Sequence, residues 1–157
     1  MRSFALSVVG LFLLAVVAFG ADQDKTDLSG TWKVDPSRVE PNQGASQFML
    51  LVEDTGSAIH IRETRGPNLK EDVSDFTCGT MGKECSMMDG GEKAAVSVYY
   101  NGPALVVLKT HGRRGSSVEK KRLSMSPAGD SLIVEITPIV PKGKTERLVL
   151  SKGHQPR

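Results

Sequence analysis

Apolar side chains recur at every second position through most of the chain, and turn residues separate these stretches at intervals of about 8 to 12 residues. Ile59 and Ile61, for example, alternate with His60 and Arg62. A period of two is typical of a β-strand with one buried face, whereas an amphipathic helix repeats every 3.6 residues. The pattern predicts ten strands, at residues 28–34, 47–53, 59–62, 69–77, 84–88, 93–100, 105–110, 117–125, 131–137 and 145–151.

The links between the predicted strands are short, which favours antiparallel neighbours. Twisted strands avoid open edges most simply by closing, so we predict an all-β protein with an antiparallel up-and-down β-barrel of about eight to ten strands. Residues 48–52 and 105–108 are apolar at consecutive positions, which predicts strands buried on both faces. A filled core explains these positions as well as a ligand cavity does.

The first residues predict a secretory signal peptide. Arg2 gives a basic start, residues 4–19 are uncharged and apolar, and the small residues Ala18 and Gly20 fit cleavage after Gly20. An uncleaved membrane anchor is the alternative, but the run is shorter than the about 20 residues of a spanning helix. We therefore expect a secreted or periplasmic protein without a stable membrane anchor. The predicted organisation is a signal peptide at 1–20, a short N-terminal segment at 21–27, a barrel domain at 28–152 and a C-terminal tail at 153–157.

Cys78 and Cys85 are the two cysteines of the chain, and glycines between them suit a tight turn. An exported protein meets an oxidising compartment, so we predict a disulfide across a hairpin. A redox or metal pair is the alternative. It is disfavoured because catalytic pairs commonly lie in a Cys-X-X-Cys spacing and a zinc site needs more ligands than this pair supplies.

Composition and charge narrow the possible partners. The length of 157 residues suits one domain and excludes a two-domain enzyme. Beyond residue 20 the aromatic residues are Trp32, Phe48, Phe76, Tyr99 and Tyr100. This is few for a protein that stacks single-stranded bases, so no nucleic-acid partner is expected.

The charge is divided between the two parts of the chain, since residues 21–100 carry a net charge of −6 and residues 101–157 one of +7. One interpretation is a basic surface that meets an anionic ligand or surface. The other is that the two parts attract each other within one fold. The basic residues concerned are Arg113, Arg114, Lys120, Lys121, Arg122, Lys142, Lys144 and Arg147.

No motif identifies a reaction. The chain has no GxSxG elbow, phosphate-binding loop or calcium loop, so we predict no catalytic residues and no cofactor. His60, His111 and His154 stand apart without metal-ligand spacing, which predicts surface histidines and no metal site. Among them, His111 has the surroundings that would suit an anion, because Arg113 and Arg114 follow it.

The stretch Leu28-Ser29-Gly30-Thr31-Trp32-Lys33-Val34 resembles the G-x-W opening of lipocalins. The resemblance implies an antiparallel barrel that binds small hydrophobic molecules, with Trp32 packed near the closed end against a basic residue of the last strand, Arg147 or Lys152. Together with the apolar start, "LSMSPAGDSLIVE" and a basic last strand, the pattern is also similar to small exported lipocalin-like bacterial proteins of an uncharacterised family.

Two functions remain open from the sequence. The first is a secreted lipocalin-like barrel that binds a small hydrophobic or amphipathic molecule without catalysis, with a basic side chain such as Arg122 for a carboxylate head. The second is a filled barrel that acts through its surface by protein or envelope contacts. The predicted ligand-binding residues are Phe48, Leu50, Val96, Val98, Tyr100, Arg122, Leu132 and Val134.

Overall fold

The structure is a computed structural model that describes residues 25–34, 47–66, 71–89, 91–112 and 116–153. The predicted signal peptide, Arg113, Arg114 and His154 lie outside the described residues. The described part contains no helix long and apolar enough to cross a membrane. Its strands are β1 (Gly30–Val34), β2 (Phe48–Asp54), β3 (Ala58–Arg65), β4 (Glu71–Gly79), β5 (Met81–Asp89), β6 (Glu92–Asn101), β7 (Ala104–His111), β8 (Ser117–Met125), β9 (Ser131–Val140) and β10 (Glu146–Lys152).

The ten strands form a closed barrel in which each strand pairs with its neighbours in the sequence, and β1 pairs with β10. Every pairing is antiparallel. The prediction of an all-β, antiparallel up-and-down barrel is therefore confirmed. Closure gives every strand a partner on both sides, which explains how a chain of short hairpins hides most of its backbone hydrogen-bonding groups. The pairing of β4 with β5 is the shortest, at Ser74–Asp89 and Asp75–Met88.

The strands differ most from the prediction around the hairpin of β4 and β5. We predicted a strand at 84–88, but β5 already begins at Met81, with Thr80 between the two strands. Gly82 has a positive φ of 76°, and the register with β6 shifts between Met81 and Glu84. The glycine permits an irregular strand start that the alternating pattern does not predict. As predicted, a disulfide joins Cys78 on β4 to Cys85 on β5, with Cα atoms 5.9 Å apart.

Alternation sets which side chains fill the barrel. On β6, Ala94, Val96 and Val98 are buried while the residues between them are partly exposed. The prediction of strands buried on both faces holds for residues 105–107 of β7, which are all buried, but not for Leu108, which is half-buried. It is wrong for β2, where the residues between Phe48, Leu50 and Val52 are only half-buried. There the outer face of the sheet meets solvent.

One end of the barrel, which we call the Trp end, is closed by the segment before β1. Leu28 is fully buried, and Trp32 donates a hydrogen bond from Nε1 to the Leu28 carbonyl at 2.9 Å. Lys25 Nζ reaches the β2–β3 turn and donates to Asp54 Oδ1 at 3.0 Å and to the Gly56 carbonyl at 2.9 Å. The segment therefore covers the core at this end. We call the opposite end, where β3, β5 and β7 finish, the charged end.

Candidate functional site

Several strands that are apolar near the Trp end place charged side chains inside the barrel near the charged end. The inward series on β3 is Ile59, Ile61 and Glu63, and β7 similarly continues from Val107 to Lys109. On β8 the inward residue before Leu123 is Lys121. The pairing of Val107 with Lys121 places β7 and β8 at the same level of the barrel. The interior thus changes from hydrocarbon to charge along its axis.

The most deeply buried part of this charged region is a pair formed by Glu63 and Lys121. Glu63 is 1% exposed and accepts a short hydrogen bond from Lys121 Nζ. Arg65 adds a second contact, with Nε 2.9 Å from Glu63 Oε1. Burial opposes ionisation of Glu63, but the positive charges of Lys121 and Arg65 outweigh it and hold the pKa of this carboxyl below its usual value. Glu63 is therefore ionised at neutral pH.

A second set of contacts extends from this pair towards the charged end. Asp89 Oδ2 lies 3.0 Å from Lys109 Nζ and 2.9 Å from His111 Nε2. Glu119 Oε1 lies 3.4 Å from Lys121 Nζ and 3.8 Å from Lys109 Nζ, yet it is buried and makes no hydrogen bond. We call the whole set the interior ion-pair cluster: Glu63, Arg65, Asp89, Lys109, His111, Glu119 and Lys121. Its three carboxylates balance its arginine and two lysines.

A small cavity lies against this cluster. Its volume is about 20 Å³, which is room for roughly one water molecule and far below the about 300 Å³ or more of a typical ligand pocket. Its wall combines apolar side chains with the polar side chains of Glu63, Ser74, Lys109 and Lys121. The remaining lining residues are Phe48, Leu50, Ile61, Phe76, Val107, Leu123 and Val134.

The predicted ligand-binding residues are divided between this cavity and other places. Phe48, Leu50 and Val134 line it. Val96, Val98 and Leu132 belong to the same buried core but do not line the cavity. Tyr100 lies towards the Trp end, where its hydroxyl donates to Asp54 Oδ2 at 2.5 Å and Lys25 Nζ lies 4.6 Å from the ring centre. Burial and the bond to Asp54 raise the pKa of Tyr100.

The prediction for Arg122 needs correction, because its side chain is on the outer face of the barrel. Arg122 Nη1 lies 3.2 Å from Glu135 Oε2 on β9, and its side chain is 43% exposed. The neighbouring Lys121 points into the barrel, so the interpretation that includes it in an outer basic surface is wrong for this residue. Inward and outward positions alternate along a strand. Lys121, two positions before the inward-facing Leu123, therefore also points inward, and Arg122 between them points outward.

Trp32 lies where the G-x-W resemblance implies, and the structure selects its partner. Trp32 is 2% exposed, and Lys152 Nζ lies 5.7 Å from its ring centre. Arg147, the alternative, is exposed and is paired in register with Glu135. Lys152 is therefore the basic residue of the last strand that contacts Trp32.

The two described histidines have different environments. His60 is on the outer face, as predicted, with Nδ1 2.9 Å from Glu53 Oε2 and Nε2 2.7 Å from Asp75 Oδ1. Hydrogen bonds to these two carboxylates raise the pKa of His60. His111 was predicted on a surface turn, but its contact with Asp89 makes it a member of the interior ion-pair cluster. Among the residues described, no group of His, Cys, Asp and Glu side chains has an arrangement that could hold a metal ion.

Glu63, Lys109 and Lys121 were not predicted from the sequence as interior residues. The signal that could have found Glu63 is the period of two, continued two positions past Ile61. The same extension from Leu123 finds Lys121. For Lys109 no such signal exists, because residues 105–108 are apolar at every position and do not fix which face points inward.

Comparisons with known proteins agree on the architecture. No protein-family model matches the chain, and no curated protein is similar in sequence. The secretory abundant heat soluble protein 4 from Ramazzottius varieornatus superposes with a TM-score of 0.60 at 14% identity, over 80% of this chain and 94% of that protein. A variant of the fluorescent protein UnaG gives 0.60 at 15% identity, over 82% and 97%. The fatty acid transporter REP1-NXSQ gives 0.61 at 11% identity, over 82% and 98%.

At these identities the likeness concerns the path of the backbone. It extends over nearly the whole length of each matched structure and over the described barrel of this chain. The chain therefore has the closed antiparallel barrel fold of lipocalin-like, or calycin-type, proteins.

Proposed function

We propose that this barrel binds a small amphipathic molecule in its interior without transforming it. The observation that carries the proposal is the cavity whose wall combines apolar side chains with Glu63, Lys109 and Lys121. The apolar part of the ligand would lie against Leu123 and Val134 in the cavity wall. The polar head would contact the interior ion-pair cluster.

The cost of burying charge supports a role in binding. A buried ion pair is frequently no more stable than well-packed apolar residues of the same size. A barrel selected only for stability would therefore have apolar side chains at the positions of Glu63 and Lys121. Perturbed, buried ionisable groups concentrate at functional sites, and Glu63 is such a group.

The cluster also indicates which head group it would accept. Its charges are nearly balanced, so a head with both donors and acceptors can enter without leaving a buried charge unpaired. An anionic head would have to replace a carboxylate on the two lysines. Such a head would displace Glu119 most easily, because Glu119 Oε1 makes no hydrogen bond and the side chain is 27% exposed.

The volume of the cavity sets a condition on binding. A space of about 20 Å³ does not hold an amphipathic molecule. Interior side chains must separate when the ligand enters. We therefore expect the association rate constant to be lower than that of a barrel with a preformed ligand cavity. The fold supports an interior cargo, since one structure with the same architecture is that of a fatty acid transporter.

Displacement of a fluorescent apolar probe, combined with native mass spectrometry of the purified protein, tests the proposal. Lys121→Met keeps the volume of the side chain but removes its charge, and Arg122→Met is the matched control on the outer face. We expect the first variant to weaken binding of an alkyl carboxylate by at least about tenfold, the effect of losing one charge-assisted hydrogen bond. The control should bind as the wild type does. Equal affinity in both variants would contradict the assignment of the head group to the cluster.

The small cavity itself favours a second function, that of a filled barrel that acts through its surface. This alternative predicts that no molecule co-purifies and that the probe does not bind below roughly millimolar concentration. It also predicts that the charge substitutions inside the barrel change stability but not the association with any partner.

We further propose that the protein is exported and begins at Ala21 after cleavage. The apolar start of the sequence supports this, as does the Cys78–Cys85 bond, since disulfides persist in oxidising compartments. The intact mass of the protein from its source should correspond to residues 21–157. A mature protein that retains residues 1–20 would contradict cleavage.

A further inference from the structure

The outer face of β8, β9 and β10, together with the turn between β9 and β10, carries most of the basic residues noted in the sequence. They are Lys120, Arg122, Lys142, Lys144 and Arg147. Among the outward positions of these three strands, Glu135 is the acidic one, and it faces Arg122 and Arg147 across the register. We call this set of five the outer basic face. It has a clear excess of positive charge.

The structure separates the two interpretations of the charge division. Attraction between the two parts of the chain accounts for the lysines inside the barrel, because Lys121 contacts Glu63 and Lys109 contacts Asp89. It does not account for the outer basic face. In the described part of the chain, Lys120, Lys142 and Lys144 have no ion-pair partner. These charges are free to act on something outside the molecule.

An apolar tip adjoins the outer basic face. Ile139 and Val140 end β9, and each is 42% exposed. Pro141 follows them, and Lys142 and Lys144 lie in the same turn. Apolar surface of Ile139 and Val140 is therefore exposed next to these lysines. Their position is at the charged end, since Val140 pairs with Val118 at the start of β8.

We propose that the outer basic face and the Ile139–Val140 tip dock onto an anionic lipid surface. Lysine and arginine side chains near such a surface attract its negative head groups, and exposed apolar side chains enter the boundary between head groups and acyl chains. Two apolar side chains supply only weak insertion, so the docking is reversible and depends on charge. The charged end of the barrel then faces the membrane.

A nucleic acid is the competing anionic partner, and the composition of the face disfavours it. Single-strand binders interleave basic residues with aromatic platforms, and no aromatic residue lies on β8, β9 or β10. A phosphate backbone also offers nothing to the apolar tip. Lipid is the anionic partner that uses both the charge and the hydrocarbon of this region.

Flotation with phosphatidylcholine vesicles, with and without roughly one-third phosphatidylserine, tests the charge requirement. The double variant Lys142→Glu/Lys144→Glu reverses charge beside the tip, and Lys83→Glu/Lys93→Glu reverses two exposed lysines elsewhere on the barrel. We expect the first variant to bind anionic vesicles at least about tenfold more weakly than the wild type. The second should retain most of the binding, and added salt should weaken both wild type and control.

The apolar tip is tested by Ile139→Ser/Val140→Ser. Its matched control is Met81→Ser/Met88→Ser, because Met81 and Met88 are even more exposed, at 85% and 58%, but lie on β5. We expect the tip variant to lose vesicle binding several-fold and the methionine control to keep it. All four substitutions are at exposed positions, and circular dichroism verifies that each variant is folded.

All variants must have the same N-terminus, which intact mass establishes. Any contribution of the apolar residues 4–19 to vesicle binding is then equal in wild type and variants. Three results would overturn the proposal: equal binding to anionic and zwitterionic vesicles, no loss in the lysine variant, or binding to nucleic acid but not to vesicles. The proposal is independent of an interior ligand. A barrel that binds no probe but docks on anionic vesicles would overturn the proposed function and leave the docking intact.

Discussion

The buried pair of Glu63 and Lys121 allows a quantitative test of how charge is held inside this barrel. Lys121→Met removes the partner that makes a short hydrogen bond to a carboxylate with 1% exposure. Arg65 is the remaining close cation, and its own side chain is 41% exposed. We expect the free energy of unfolding to fall by about 3 to 5 kcal/mol, the usual effect of breaking a buried pair by removing one partner.

Replacing both members should be far milder. Glu63→Leu/Lys121→Met leaves apolar side chains of similar volume against Phe48, Leu50 and Ile61, which line the same cavity. We expect the double variant to lie within about 1 kcal/mol of the wild type or to exceed it, because neither charge must then be desolvated. Arg65 is solvated enough to tolerate the loss of its contact. Adding the single variant Glu63→Leu completes the double-mutant cycle, which gives the coupling energy of the pair.

Urea titration followed by Trp32 fluorescence measures these changes, since the chain has one tryptophan and it is buried. Arg122→Met is the control, because it breaks an exposed pair with Glu135 that is worth at most about 1 kcal/mol. A single-variant loss below about 1 kcal/mol, or a double variant less stable than Lys121→Met, would refute the role of Lys121 as the partner that stabilises buried Glu63. The pKa of Glu63 is lowered in the fold, so the stability that it contributes is present above its unfolded pKa and is lost as the pH falls.

Three further predictions concern the rest of the barrel. Trp32→Ala should lower the free energy of unfolding by about 3 to 5 kcal/mol, because Trp32 is 2% exposed; a loss under about 1 kcal/mol by circular dichroism would contradict its structural role at the Trp end. Replacing Cys78 and Cys85 by serine should cost about 2 to 3 kcal/mol for a loop of this length, and the finding of two reactive thiols in the denatured wild type would exclude the bond. His60→Gln should flatten the pH dependence of stability near neutrality. The two carboxylates beside His60 raise its pKa, so the stabilisation from these contacts is complete below the unfolded pKa of histidine and is lost as the pH rises through the folded pKa. Equal slopes of unfolding free energy against pH in wild type and variant would contradict this.

The strand pattern and the barrel class followed from local information, because each hairpin places its neighbours by a short turn and alternation fixes the buried face. Val96, Val98 and Leu132 could be assigned to the core in this way. The error at Arg122 arose within Glu119-Lys120-Lys121-Arg122, where four consecutive polar residues hide the parity that Leu123 defines.

The interior ion-pair cluster required information that no short segment contains. Glu63 and Lys121 are separated by 58 residues and lie on strands that are not adjacent in the barrel. Their meeting depends on the curvature of the closed sheet and on the register of every intervening pair. The same applies to Trp32, whose contact with Lys152 depends on the pairing of β1 with β10.

That pairing of β1 with β10 also determines when the protein can finish folding. Trp32 stands opposite Lys152, so the seam of the barrel joins the first strand of the chain to its last. During synthesis from the N-terminus, β1 has no partner on that side until β10 has emerged from the ribosome, and until then β1 and the most recently made strand expose unpaired backbone groups. Long-range closure of this kind is slow compared with hairpin formation. The barrel therefore stays open, and accessible to a chaperone, until β10 is available to close it.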